Sequence, residues 1–294
     1  MKANNVEISH PDKILFPQQN ITKKDVADYF ERIAEYMLPY IEDRPITLKQ
    51  FTEGIGKEGF FSKHAPDHFP DYIKRIMVPM HSESGKEMKM VTVDEAADLV
   101  YFAGQNTIEI HTGLSKSDDL EKPDQIIFDL DPSDNDFEKV WKAAFALKQL
   151  LDDHEITTFI KTTGSRGVHV HIPIKVDKNF PEVKKVAKQI SQALTQKMPE
   201  LTTMEHRKDK RGDKVFIDYL RNDYGMTVIA PYSLRALNNA PVAVPIDWDE
   251  LKDSSLGPQT YTLSNIFRRV SQKKDPWKNF VIHRVDLKNL RFIK

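Results

Sequence analysis

The apolar run QIIFDLDP carries two aspartates separated by one residue, Asp129 and Asp131. Side chains alternate along a strand, so these two face one way while Phe128 and Leu130 face the other. Adjacent carboxylates at the end of an apolar strand repel each other and lose hydration unless something positive joins them. A hard divalent cation such as Mg²⁺ or Mn²⁺ satisfies both through oxygen ligands. A helix cap or a solvated strand end would explain a lone pair equally well. Asp218 in VFIDYL adds a third carboxylate inside an apolar strand, where an unpaired charge is costly. Three strand-borne aspartates could hold two metals roughly 3.5–4 Å apart, the arrangement that drives in-line phosphoryl or nucleotidyl transfer. Read singly, Asp218 is also compatible with a surface-facing strand carboxylate.

A second concentration of polar chemistry is KTTGSRGVHVHIP, residues 161–173. Arg166 with Thr163 and Ser165 beside it forms an anion grip of cation, hydroxyls and turn N–H groups. His169 and His171 share one strand face, and such a pair can bind a metal. That leaves open an iron oxygenase built on the two histidines. The blander alternative is a β-hairpin whose turn uses Gly164 and Gly167, with His171 packed in the sheet.

These residues need elements to hold them. Residues 22–38 read as an amphipathic helix with Thr22 and Asp25 as a capping box, closed by Pro39 and Pro45. ITLKQF, KMVTV and TIEIH read as strands, with a helix from Asp94 to about Gln105. QIIFDLD is a strand stopped by Pro132, followed by a helix over about 137–152 with Val140, Trp141, Ala144, Leu147 and Leu151 inward. TTFIK and GVHVHIPI make two strands about the glycine-containing turn. A helix over 181–197 follows, then strands in KVFIDYL and TVIAPYSL, and a last helix over about 262–273. Mixed helices and antiparallel strands favour α+β, with the first hundred residues as a subdomain packed on a catalytic sheet.

Composition bounds the function without choosing it. The 294 residues are 39% hydrophobic and 30% charged, ordinary for a soluble globular protein. There is no cysteine, which excludes disulfides, cysteine–zinc modules and thiol nucleophiles. No apolar run reaches membrane-span length and MKANNVEISHPDK lacks a signal-peptide core, so the chain is expected to be cytoplasmic, with no membrane partner. The net charge of −1 gives no general attraction to nucleic acid. Basic clusters are local, in EHRKDKRGDK (205–214) and FRRVSQKKDPWK (267–278).

FDLDP, KTTGSRGVHVHIP, VFIDYL and APYSLRA together resemble the motifs of the archaeo-eukaryotic primase superfamily. More closely, the chain is similar to the polymerase domain of bacterial DNA ligase D. The similarity extends through HPDKILFP, ITK, RPITLKQF, GFFSKHAP, IEIHT and PIDWDEL, nearly the whole chain. It implies a primase-polymerase core, a mainly antiparallel sheet flanked by helices, as a single domain over 1–294. The expected subdivision is a DNA-end-binding part over 1–110 and a catalytic core over 111–294.

The resemblance implies Asp129, Asp131 and Asp218 as ligands of two Mn²⁺ or Mg²⁺ ions. Arg166, His169, His111 and Arg235 would contact the phosphates of an incoming NTP or dNTP, with Lys49 and Thr163 positioning that nucleotide. Lys13 and Lys23 would grip the 5′-phosphate of a downstream DNA strand, and Phe60 and Phe61 would stack near bases or template. Adjacent phenylalanines in a strand face opposite ways, so one of the two could instead be core. Lys13 and Lys23 could be solvated charges, His111 a satisfied strand histidine, and Lys49 and Arg235 surface ion-pair partners.

The implied activity is template-directed nucleotidyl transfer at DNA ends and gaps in non-homologous end joining, preferring ribonucleotides, with Ku and a separate DNA ligase as partners. A primase acting without a primer, and a non-catalytic DNA-end-binding module, are the alternatives. The sequence departs from the family pattern at Thr163, where serine is usual, and at Arg166, where lysine is usual. The second change keeps the charge but turns a point into a fork. His171 receives no family role. The chain stops at Lys294 without a ligase or nuclease module, so a stand-alone enzyme and an excised domain are both expected readings.

Overall fold

The computed structural model describes residues 2–3, 6–82 and 85–290. It is a mixed α+β fold whose sheets are almost wholly antiparallel, as expected. The chain forms two compact units, neither continuous in sequence. The first comprises Met1–Leu120, Thr227–Ala243 and Tyr261–Lys273, and the second Glu121–Met226, Val244–Thr260 and Lys274–Lys294. The first boundary lies ten residues beyond the expected subdivision at 110, and two later segments return to the first unit.

In the first unit the sheet runs Thr227–Ile229, Thr107–Gly113, Ile46–Gln50, Glu87–Val91, Arg75–Pro79. Strand Phe60–Ser62 shares the Ile46–Gln50 edge with Glu87–Val91: Ile46 pairs Val91, while Leu48 to Gln50 pair Phe60–Ser62. Helix Lys23–Ile41 opens with the Thr22–Asp25 capping box, in which Thr22 Oγ1 accepts from the Asp25 N–H and the Asp25 carboxylate from the Thr22 N–H. Its apolar stripe of Val26, Phe30, Ile33 and Met37 is wholly buried, partly against helix Ala96–Gly104. Pro39 does not close this helix, which continues to Ile41. A proline so near the C-terminus removes one internal bond. The last turn survives because Ile41 is fully buried and the Glu42 N–H reaches Leu38 O at 2.9 Å.

The second unit has its own sheet, in the order Thr202–Thr203, Val215–Asp218, Gln125–Pro132, Val168–Pro173, Phe159–Thr162, Pro245–Ile246. Only the first pair is parallel. Helices Phe137–Asp152 and Phe180–Lys197 pack on it through Val140, Ala144, Leu147 and Leu151, and through Val183, Val186, Ile190 and Leu194. Each large aliphatic side chain buried there is worth at most about 1.5–3 kcal/mol. Trp141, expected inward, is only half-buried and lies edge-on to Phe137 at 5.0 Å. Pro132 ends its strand as a member of it, paired with Val215.

The strand expected in TVIAPYSL is shorter, Thr227–Ile229. Pro231 has no N–H to continue a ladder. Tyr232 then turns into the left-handed region at φ 62°. The last helix spans Ile266–Gln272, shorter than expected. Among the described residues no helix is long and apolar enough to cross a membrane.

Candidate functional site

The aspartate strand of the second unit lies between two partners in its sheet. Asp129 is opposite His169 on one side and opposite Asp218 on the other, so three candidate side chains line up in a row across three strands. Directly opposed residues share a face, and Asp131, two residues on, shares it with Asp129. Phe128 and Leu130 point the other way and are fully buried. The His169 ring meets Asp129 at 3.4 Å, Nε2 to Oδ1. Asp131 faces the Arg166 guanidinium at 3.8 Å, and Asp218 faces Arg221 at 3.3 Å while accepting the Leu220 N–H at 2.8 Å. Burial, and then the like charge of Asp129, push the Asp218 carboxyl above its ordinary range, against the pull of Arg221.

Among the described residues no group of three or more histidine, cysteine, aspartate or glutamate side chains is gathered tightly enough to hold a metal ion as it stands. The donor chemistry nevertheless suits a hard divalent cation. Three carboxylates share one face of the sheet, and the repulsion felt at Asp218 is what a bound cation relieves.

The expected anion turn joins strands Phe159–Thr162 and Val168–Pro173. Thr163 is almost fully buried and builds the turn. Its N–H and its hydroxyl both donate to Gly167 O at 3.0 Å, and its Oγ1 accepts from the N–H groups of Ser165 and Gly167 at 3.3 Å. Gly164 takes the left-handed φ of 66° that the turn requires. Gly167 is needed for close approach: a Cβ there would lie 2.0 Å from Leu130 O and 2.9 Å from Asp131 Oδ1. The turn thus lies directly against the aspartate strand. Arg166 is left with its side chain about half exposed. Gln259 donates to Ser165 O at 2.8 Å.

His171 shares the face of His169, with ring centroids 5.9 Å apart, but sits one pair deeper. Its Nδ1 is 2.9 Å from Gln125 Oε1, and its ring lies edge-on to Trp277 at 4.5 Å. Trp277 is fixed in turn by donating Nε1 to Ile160 O at 3.0 Å. Lys161, in the neighbouring strand, is fully buried.

In the first unit the structure gathers Lys49, His111 and Arg235 around a residue that sequence reasoning missed. Glu109 shares a strand face with His111 and is directly opposite Lys49, which is itself opposite Phe61. Its carboxylate lies 3.1 Å from His111 Nε2, 3.4 Å from Arg235 Nε and 3.8 Å from Lys49 Nζ, and accepts the Ala236 N–H at 3.1 Å. Burial alone would raise its pKa, but the His111 hydrogen bond and the charges of Arg235, His111 and Lys49 bring it down to about 2. Burial lowers the His111 pKa below its ordinary value even though Glu109 opposes this.

The available signal for Glu109 was a lone carboxylate between two isoleucines, two residues before the histidine of IEIH. Arg235 is aimed by its surroundings. Tyr29 Oη donates to Tyr232 O at 2.6 Å, Ser233 Oγ accepts from Ile110 N–H at 2.8 Å, and Arg235 N–H reaches Pro241 O at 2.7 Å. Neither Phe60 nor Phe61 is core. Both are more than half exposed, on a short strand at the sheet edge. Phe61 stands edge-on to His111 at 5.3 Å, with Lys49 Nζ 5.2 Å from its ring centre.

Lys13 and Lys23 line a separate cavity of about 570 Å³ in the first unit, together with Ser9, His10, Asn106 and one carboxylate, Asp12. Lys23 is buried, donating to Ser9 O at 2.9 Å and to Gly104 O, at the C-terminus of a helix, at 3.1 Å. Lys13 donates to Thr52 O. Burial, and then the charge of Lys13, lower the Lys23 pKa. Two ammonium groups that disfavour each other in one cavity are suited to a shared anion.

Residues 22–277 match the family model of the LigD primase-polymerase domain. The chain is 31% identical over 271 residues to the bifunctional non-homologous end joining protein LigD of Bacillus subtilis, covering 92% of this chain and 43% of that protein. It is 32% identical over 254 residues to the multifunctional LigD of Mycolicibacterium smegmatis, covering 85% of this chain and 33% of that protein. It therefore spans between a third and about two-fifths of the length of these relatives. In three dimensions it is similar to the polymerase domain of Mycobacterium tuberculosis ligase D in complex with DNA. The TM-score is 0.86 at 29% identity, over 95% of this chain and 99% of that one. With this agreement of motifs, sequence and fold, the chain belongs to the LigD primase-polymerase domain family.

Proposed function

We propose that the chain is a metal-dependent, template-directed nucleotidyltransferase that extends 3′ ends at DNA gaps and breaks in non-homologous end joining. The observation that supports this most is the register that sets Asp218 beside Asp129, with Asp131 on the same face. Asp129, Asp131 and Asp218 would hold two Mg²⁺ or Mn²⁺ ions, which lower the pKa of a primer 3′-hydroxyl and neutralise triphosphate charge when bound. The remaining roles belong to the chain itself. Thr163 holds the turn closed, so that Arg166 offers a forked donor to phosphate oxygens. Ser165 would add its hydroxyl to the same grip. His169, held against Asp129, would add a ring N–H.

His111 and Arg235 would contact the phosphates of the incoming NTP or dNTP, and Lys49 would position that nucleotide. The exposed rings of Phe60 and Phe61 would stack on bases, which tolerates any sequence. Lys13 and Lys23 would bind the 5′-phosphate of the downstream strand in their cavity. A ribonucleotide preference, support by Mn²⁺, and partnership with Ku and a separate DNA ligase complete the proposal.

The deciding experiment is extension of a gapped, 5′-phosphorylated DNA with each NTP and dNTP in Mn²⁺ or Mg²⁺. Templated addition, with NTPs used in preference to dNTPs, is the expected result. Absence of any addition, with DNA-end binding retained, would instead make the chain a non-catalytic end-binding module. Efficient synthesis without a primer would make it a primase.

A further inference from the structure

Each of the three first-unit residues proposed to bind the nucleotide touches Glu109, and so does the backbone that carries one of them. The Glu109 side chain is 4% exposed, against 24% for Lys49, 13% for His111 and 20% for Arg235. The carboxylate therefore lies beneath the cationic groups, and a ligand approaching from solvent meets their outer side. Its contacts come from three parts of the chain: the opposing strand through Lys49, its own strand through His111, and the segment after Tyr232 through Arg235 and Ala236. Such a residue ties together groups that no local interaction would align.

We infer that Glu109 is a positioning residue, which orients Lys49, His111 and Arg235 as one face for a triphosphate; the inference rests on the nucleotidyltransferase reading. Two effects oppose each other at such a position. A carboxylate near a phosphate repels it, but it also fixes the side chains that bind it. The charge of Glu109 is matched at contact distance by Lys49 and Arg235, so little of its field reaches beyond them. Lysine and arginine stems lose much rotamer freedom when fixed, and Glu109 imposes that loss before the ligand arrives. Orientation is therefore the larger effect. A buried glutamate that holds a phosphate-binding lysine in place has a parallel in the lysine–glutamate pair of protein kinases.

The test uses the full 294-residue chain and inorganic tripolyphosphate, with calorimetric titration of wild type, Glu109→Gln and Glu109→Asp. Glu109→Gln should weaken binding about 10- to 30-fold, as expected for loss of charge-assisted contacts. Glu109→Asp, which keeps the charge on a shorter stem, should recover part of that loss. KM for the nucleotide should rise by a similar factor, with kcat changed less, an effect that simple destabilisation does not produce. In a Lys49→Met background the same substitution should cost much less, because the two act as a unit.

Equal or tighter tripolyphosphate binding by Glu109→Gln would overturn the inference, as would fully additive losses in the double variant. If Glu109→Gln fails to fold, unchanged affinity in Glu109→Asp would overturn it alone. A wild-type chain that binds tripolyphosphate but adds no nucleotide would defeat the nucleotidyltransferase reading, with Glu109 still decided by the variant affinities.

Discussion

At the residue scale, the row Asp218–Asp129–His169 and the two histidines separate chemistry from packing. Asp129→Ala should abolish nucleotide addition and leave DNA-end binding largely intact, because it removes a central carboxylate without touching the lysine cavity. Primer-extension and end-binding assays on the same preparation check this, and robust extension in Mn²⁺ would refute the assignment. Arg166 and His171 should differ in kind. Arg166→Ala removes a half-exposed fork, so catalytic efficiency should fall about 30- to 150-fold, or ~2–3 kcal/mol, with little change in stability. His171→Ala leaves a cavity beside Trp277 and an unmatched Gln125, so it should cost about 2–4 kcal/mol of stability. Kinetics and urea unfolding on both variants decide between these outcomes.

At the scale of elements, the turn at residues 163–167 is pressed against the strand that carries the aspartates, and the proposed anion grip depends on that packing. Gly167→Ala would place a methyl group 2.0 Å from a strand carbonyl, and neither backbone can yield without breaking the pairing of Asp129 with His169. We expect a loss of at least about 2–3 kcal/mol by urea unfolding, together with lost nucleotide addition. Gly56→Ala, where no atom lies within 4 Å of the new Cβ, should stay within about 0.5 kcal/mol of wild type. Equal stability of the two variants would show that the turn does not press on the strand in solution.

At the scale of the whole molecule, near-neutral charge makes the local basic sites matter. With a net charge of −1, the proposed DNA binding would depend on particular contacts. Lys13→Ala or Lys23→Ala should therefore flatten the log–log salt dependence of binding to a 5′-phosphorylated end by about one unit each. Equal affinity of wild type for phosphorylated and unphosphorylated ends would count against the cavity as the phosphate site.

Acid stability is also a property of the whole fold. Glu109 titrates at about 2 in the folded chain, against 4.5 ordinarily, so its stabilisation is complete above about pH 4.5 and is lost as pH falls towards 2. Its size is of the order of 3 kcal/mol. His111 is depressed by burial, so the unfolded chain takes up its proton first and stability also declines below pH 6.5. The gap in urea midpoint between wild type and Glu109→Gln should therefore narrow between pH 5 and pH 3. A constant gap would remove Glu109 from the acid response.

What the sequence determined by itself was local or alternating. Period-two patterning put Asp129 and Asp131 on one face with Phe128 and Leu130 on the other. The Thr22–Asp25 capping box and the apolar stripe of helix Phe137–Asp152 were legible for the same reason, since short-range hydrogen bonds and burial periodicity set them. Family motifs carried the rest of the recognition, and fold and sequence similarity agree with them.

Only the tertiary structure decided what depends on strand register and burial. Register placed Asp218 beside Asp129, and it made Glu109 the shared partner of residues distant in the chain. An edge position left both Phe60 and Phe61 exposed where alternation had made one a candidate for the core. A buried Ile41 carried a helix past Pro39, and segments 227–243 and 261–273 rejoined a unit that ends its first pass at Leu120. The physical reason is common to these cases. Alternation and capping act over a few residues, whereas register and burial are set by partners brought together only when the chain closes on itself.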